Sequence, residues 1–220
     1  DHIKRCLTTF PGVFTGIGEF SIHKEFVSAK ISGDVASLTD PALDRIFEFC
    51  AESGLLVLIH NDIDNPFPKP NKPNYLDGFK ELVKRHPNTT VVWAHLGLGR
   101  IIKPIEDMGE LFLDMLADPA YKNLYFDLSW DETAKWLMSS DKAISRTSEI
   151  ISKYPDRFMF GTDNVAPDKQ EKQLNVYHLY DRLWKAVGEE VTYKVTKGNY
   201  IKLFDDARAK VRAWEAANVK

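Results

Sequence analysis

Four side chains able to hold a metal ion each stand at the end of a short apolar run: Glu19 in VFTGIGEF, His60 in LLVLIH, His95 in TTVVWAH and Asp163 in RFMFGTD. Imidazole and carboxylate are the ligands that bind a divalent cation for hydrolytic chemistry. In a parallel α/β barrel every strand delivers its C-terminal end to the same face. Residues far apart in sequence then converge on one point, and a metal-centred active site is the leading expectation.

Each residue has a plainer competitor. A lone buried histidine is usually no more than hydrogen-bonded; His60 and His95, at equivalent strand ends, favour ligation as a pair. Asp163 is expected both to bind the metal and to take the proton from attacking water, against a plain role as the N-cap of a following helix. His23, Lys24 and Glu25 lie in the loop after the first run and are placed to close over a substrate, or to be solvated. Arg100, in HLGLGR, is a candidate bidentate clamp for a substrate carboxylate, or one half of a salt bridge. Trp130, just beyond the strand ending at Asp127, lines a pocket or packs as a hydrophobic staple. His2, His86 and His178 fall in helical patterns and are read as structural or surface residues.

The elements that must position these groups alternate along the chain. Strands are expected at about 13–19, 55–60, 89–95, 123–128 and 157–162, each rich in Val, Ile, Leu, Phe or Tyr without strict polar alternation, as for strands covered on both faces. Helices are expected at 41–53, 75–86, 104–117, 142–153 and 171–187, with two more in 189–219. The first of them is the most fully signalled, with Thr39 or Asp40 as N-cap, Pro41 in the first turn and Gly54 as the stop. RHPNTTVVW and KYPDRFMF place a proline before a strand, the mark of a short return loop. Residues 20–39 and 61–74 give longer loops after the first two strands, which fits a barrel whose strand-to-helix loops build the site. No Gly/Ser linker or tandem repeat interrupts the pattern, and one domain over 1–220 is expected.

Composition narrows the function classes. The 220 residues carry a net charge of −3, with 44% hydrophobic and 28% charged residues. Basic residues are spread over the whole length, so nothing favours nucleic acid or an anionic membrane. LLVLI is too short to span a bilayer and the start has no signal-peptide pattern. The two cysteines, Cys6 and Cys50, lie outside any metal-binding spacing and are expected as buried reduced thiols, which suits a cytoplasmic protein.

Taken in order, GIGEF, LIHND, WAHLG and FGTD resemble the strand-four, strand-five, strand-six and strand-eight signatures of the amidohydrolase superfamily, in its amidohydrolase-related branch. The terminal GNYIKLFD, with Asn199 and Leu203-Phe204, is similar to that branch's GNAxRLF ending. The resemblance implies a (β/α)₈ TIM barrel seen from its fourth strand to the C-terminal helices. It also implies a first-strand HxH pair, which this sequence lacks; on a typical barrel, roughly 80–100 residues would precede Asp1. The implied activity is metal-dependent hydrolysis of an amide, ester or lactone, with one or two divalent ions, zinc by default. Metal ligands would be Glu19, His60, His95 and Asp163, with Glu19 bridging two ions or orienting a neighbour, and His95 binding metal or touching the substrate oxygen. No lysine stands at a strand end for the carbamylated, lysine-bridged type. Two competitors remain: a one-metal decarboxylase of an aromatic or unsaturated acid, which Trp130 and Arg100 would suit, and a silent barrel portion acting as a binding module. The expected partner is a small molecule, with homo-oligomerisation open and neither nucleic acid nor membrane indicated.

Overall fold

The computed structural model describes residues 1–24, 37–64, 75–99, 107–164 and 168–219. Among these, five strands form one parallel sheet in the order β1-β2-β3-β4-β5: β1 (Gly16–His23), β2 (Leu56–Asn61), β3 (Val91–Trp93), β4 (Leu124–Asp127) and β5 (Phe158–Met159). Helices α1 (His2–Thr9), α2 (Pro41–Ser53), α3 (Leu76–Arg85), α4 (Met108–Ala117), α5 (Asp131–Leu137), α6 (Asp141–Lys153), α7 (Asn175–Leu179), α8 (Asp181–Tyr193) and α9 (Asn199–Asn218) pack around it. None of the described helices is long and apolar enough to cross a membrane.

Helix α2 shows how local sequence fixes an element. The Asp40 carboxylate accepts from the Ala42 amide at 2.7 Å, Pro41 opens the first turn and Gly54 ends the helix at φ 79°. Those are the N-cap, N1 and left-handed stop positions that these residue types favour. Leu43, Phe47 and Cys50 recur at helical spacing and are all buried, forming the stripe that seats α2 on the sheet.

Consecutive strands pair in register, Val57 with Val91, Val91 with Leu124, and Phe126 with Phe158. One face of each strand packs under the helices: Val57, Ile59, Val91, Trp93, Leu124, Phe126 and Phe158 all join the hydrophobic core, with Trp93 stacked on Phe79 of α3 at 4.2 Å between ring centroids. The opposite face carries Leu56, Leu58, Val92 and Met159, which line a cavity of about 280 Å³ together with Glu19, Asp127 and Asp163.

The alternation expected from sequence is present; α5 over Asp131–Leu137 is a helix the sequence reading did not expect, and the other differences lie at element ends. β5 is two residues long because the Phe160 amide donates to Val195 O at 2.9 Å rather than continuing a ladder. β3 stops at Trp93 because His95 and Leu96 adopt φ of 55° and 57°, outside strand geometry. β1 instead runs on to His23, where it still pairs with Asn61. The helix expected over 171–187 is broken at Tyr180, whose buried hydroxyl donates to Leu128 O. A π turn at Lys194–Gly198 joins α8 to α9. Cys50 is buried as expected, whereas Cys6 is only half-buried.

Candidate metal centre

Glu19, His60 and His95 come together at the C-terminal end of the sheet. Glu19 lies in β1 after Gly18, where φ is 124° and a Cβ would stand 2.2 Å from Leu58 O; only glycine lets β1 run this close to β2. His60 sits in β2 opposite Ser21 of β1 and is buried. His95 follows β3 in a left-handed turn, also buried. A left-handed φ at a non-glycine residue is uncommon and concentrates at functional sites.

The approach distances are short. His60 Nδ1 lies 3.1 Å from Glu19 Oε1, and His95 Nε2 lies 3.5 Å from Glu19 Oε2. One ligand atom from each of the three lies within 4.8 Å of the others. An ion with bonds of about 2.0–2.2 Å has tetrahedral edges of about 3.3–3.6 Å, so two imidazole nitrogens and one carboxylate at these separations fit a divalent cation. His60 offers Nδ1 and His95 offers Nε2; each ring's other nitrogen is held from behind. His60 Nε2 faces Asp62 Oδ1 at 2.8 Å. His95 Nδ1 faces Ser129 Oγ at 3.0 Å and Ser129 O at 3.2 Å. Such supports fix the tautomer and ring orientation of metal-binding histidines.

Electrostatics match that arrangement. Burial pushes the Glu19 carboxyl upward, but hydrogen bonds from His60, His95 and Lys24 outweigh it and hold the group well below the usual carboxylate range. Lys24 Nζ donates to Glu19 Oε1 at 2.7 Å. Burial works against a charged His95, yet the Glu19 hydrogen bond and the charges of Asp127, Glu19 and Asp163 raise its pKa. Asp127 is pushed up by burial, partly offset by His95 and Ser129. An ionised Glu19 beside a proton-attracting His95 is a site that favours added positive charge.

Asp163 stands beside the three-residue group without joining it. Its Oδ2 lies 3.7 Å from His95 Nε2, its φ is 41°, and its side chain is 35% exposed, so it meets both the cluster and the solvent side. Among the described residues the next helical segment is Gln170–Leu174, whose N-cap position is Lys169 rather than Asp163. The Trp130 ring centroid lies 5.2 Å from that of His95, on a backbone with φ 87°. His23 stacks on Tyr75 at 3.7 Å. Arg100 and Glu25 lie outside the described residues. His86 is buried against Asp44 at 2.7 Å, while His178 is exposed beside Asp181.

Sequence reasoning did not single out Asp62 or Ser129. Asp62 carried one usable signal, a carboxylate two positions after a strand-end histidine; Ser129, a serine after a strand, carried none.

Comparison with known proteins places these features in a context. A family model described as amidohydrolase matches residues 21–205. Among solved structures, dihydroorotase from Campylobacter jejuni aligns with a TM-score of 0.55 at 18% identity, covering 84% of this chain and 57% of that enzyme. A Pseudomonas putida protein assigned as a 2-pyrone-4,6-dicarboxylic acid hydrolase aligns with a TM-score of 0.50 at 15% identity, covering 93% of this chain and 77% of that protein. No curated sequence matches. At these identities the shared property is the fold, a TIM barrel, and the five parallel strands here correspond to part of such a barrel. The chain spans little more than half the length of the dihydroorotase.

Proposed function

We propose, taking as premise that the chain belongs to the amidohydrolase family, that its strand-end cluster is a divalent-metal centre which hydrolyses a C–N or C–O bond of a small molecule. The convergence of Glu19, His60 and His95 within 4.8 Å carries this reading. Residues 1–220 act in it as one domain.

Glu19, held ionised, His60 through Nδ1 and His95 through Nε2 would bind the ion; zinc suits two imidazoles and a carboxylate. Such an ion, when bound, lowers the pKa of a water to roughly 7 and polarises a scissile carbonyl. Asp163 accepts the proton of the attacking water and returns it to the departing amine or alkoxide. Its place 3.7 Å from His95 Nε2 and its partial exposure support that role, because the carboxylate reaches both the cluster and an entering substrate. Trp130 offers an aromatic wall beside His95. His23 and Lys24 stand at the end of β1 to contact substrate, and Arg100 completes the substrate set.

The test is hydrolysis by the intact enzyme against Asp163→Asn, which keeps the volume and removes the proton acceptor. Turnover is expected to fall by about 10²–10⁴ with metal content unchanged. Wild-type turnover in that variant would overturn the assignment. Release of carbon dioxide without hydrolysis of amide, ester or lactone would favour the decarboxylase reading, which Trp130 beside His95 also accommodates.

A further inference from the structure

We infer that the substrate of this site carries a neutral, apolar group the size of a single aromatic ring, held in the cavity between the inner face of the sheet and the start of α9, with Tyr200 and Phe204 as its aromatic wall. The inference rests on the proposed hydrolase reading and names the substrate class for that same centre. Side chains two positions apart on a strand share a face. Leu56 and Leu58 of β2 therefore occupy the row that ends at His60, a span of about 13 Å at about 3.3 Å per residue. Met159 at the end of β5, Gly161 and Asp163 line the same cavity as Leu56 and Leu58. The hollow of about 280 Å³ thus has an aliphatic floor, completed by Val92, and a carboxylate rim at Glu19 and Asp163.

Helix α9 supplies the remaining wall. Asn199 Nδ2 donates to Pro155 O at 2.7 Å and to Phe158 O at 2.8 Å, which fixes the first turn of α9 beside β5. Tyr200 and Phe204, one turn apart, stack at 4.2 Å between ring centroids, and both line the cavity. Such an aromatic face favours a flat ring in contact with it. A plain packing void would be sealed, but Tyr200 is 51% exposed and Leu58 only half-buried, so this cavity opens to solvent. A cavity of about 150 Å³ holds benzene; 280 Å³ leaves room for a ring and the bond to be cleaved. Charge selects against acids. Among the described residues no lysine, arginine or histidine lines the cavity, so a carboxylate carried to its floor would be buried without a partner.

The experiment is NMR titration of the metal-free 220-residue chain, read at the Leu58 and Met159 methyl groups, with benzyl alcohol as the neutral probe and 4-(hydroxymethyl)benzoate as its charged counterpart. Both present the same hydroxyl donor to the rim, and only the second carries a carboxylate toward the floor. Benzyl alcohol is expected to shift both sets of methyls saturably, and the benzoate to bind at least about 10-fold more weakly. Tyr200→Ala should weaken benzyl alcohol binding about 2–10-fold, and Leu58→Phe, which fills the floor, should weaken it further. Tyr193→Ala removes an exposed aromatic outside the cavity and should leave the affinity unchanged. If Leu58→Phe fails to fold, Tyr200→Ala decides, because its exposed side chain lies outside the hydrophobic core. Methyls that do not respond, equal or tighter binding of the benzoate, wild-type affinity in either cavity variant, or the same loss in Tyr193→Ala would overturn the proposal. Binding is read without metal or turnover, so a chain that takes up the alcohol as expected but never hydrolyses would count against the hydrolase reading alone.

Discussion

Glu19 is the carboxylate on which the centre turns, since His60, His95 and Lys24 all reach it. That convergence has a pH signature in the metal-free protein. Glu19 is depressed below its ordinary 4.5, so its contribution to stability is present above 4.5 and lost as pH falls toward the depressed value. His95 is raised above its ordinary 6.5, so its contribution is present below 6.5 and lost as pH rises through the raised value. The stabilisation from the pair is therefore fullest between the two ordinary values and declines on the alkaline side. A divalent ion bound there would replace the proton between the two groups and remove that decline. Thermal unfolding of wild type and His95→Gln across pH, with and without zinc, checks this. The metal-free difference should shrink above 6.5, whereas a difference that grows there would mean His95 is neutral in the folded state. Residue type and strand-end position flag Glu19, His60, His95 and Asp163 in the sequence, and the structure brings the first three together with Asp163 beside them. Asp62 and Ser129 could not be ranked so. Ser129 matters only through contact with a residue 34 positions away, and no local pattern encodes that contact.

At the scale of elements, the alternation of strand and helix was legible because unbroken Val, Ile and Leu runs and amphipathic stripes have different periods. The α2 boundaries were fixed by Asp40, Pro41 and Gly54, whose chemistry acts within a turn of the chain. Where an end depends on a distant partner, sequence gave no warning: β5 stops because Phe160 is claimed by Val195, and α7 stops at a tyrosine anchored to Leu128. Gly54 belongs to both kinds. Its left-handed φ of 79° marks a helix stop, but its lack of a side chain also makes room for α9, since a Cβ there would lie 2.3 Å from Lys210 Cβ. Gly54→Ala should therefore cost about 1–3 kcal/mol for the strained backbone, with the helix contact adding to it. Urea unfolding measures this; unchanged stability would show that α9 and the α2 stop can shift without penalty.

For the whole molecule, the organising feature is a parallel sheet whose strand ends share one face, with α9 tying its two sides together. At one end Asn199 Nδ2 donates to Pro155 O and Phe158 O at 2.7 and 2.8 Å, next to β5. At the other, Glu215 accepts from the Gly12 amide at 3.0 Å, Arg212 donates to Phe14 O, and Trp214 Nε1 donates to Glu52 Oε1 at 3.0 Å, beside β1 and α2. A 20-residue helix is about 30 Å long, enough to cross between these edges, and its Tyr200 and Phe204 line the same cavity as Glu19 and Asp163. The sequence marked a helical tail but not its path, because contacts such as Gly12 with Glu215 link residues 203 positions apart. The sheet and its brace matter to chemistry only if they hold three ligands at binding distance. The direct measurement is calorimetric titration of zinc into the 220-residue chain and into its Glu19→Gln, His60→Ala and His95→Ala variants, with His178→Ala as a surface control. The account predicts saturable binding in the wild type and in His178→Ala, and its loss in the other three; zinc binding that survives in a His60→Ala/His95→Ala double variant would contradict it.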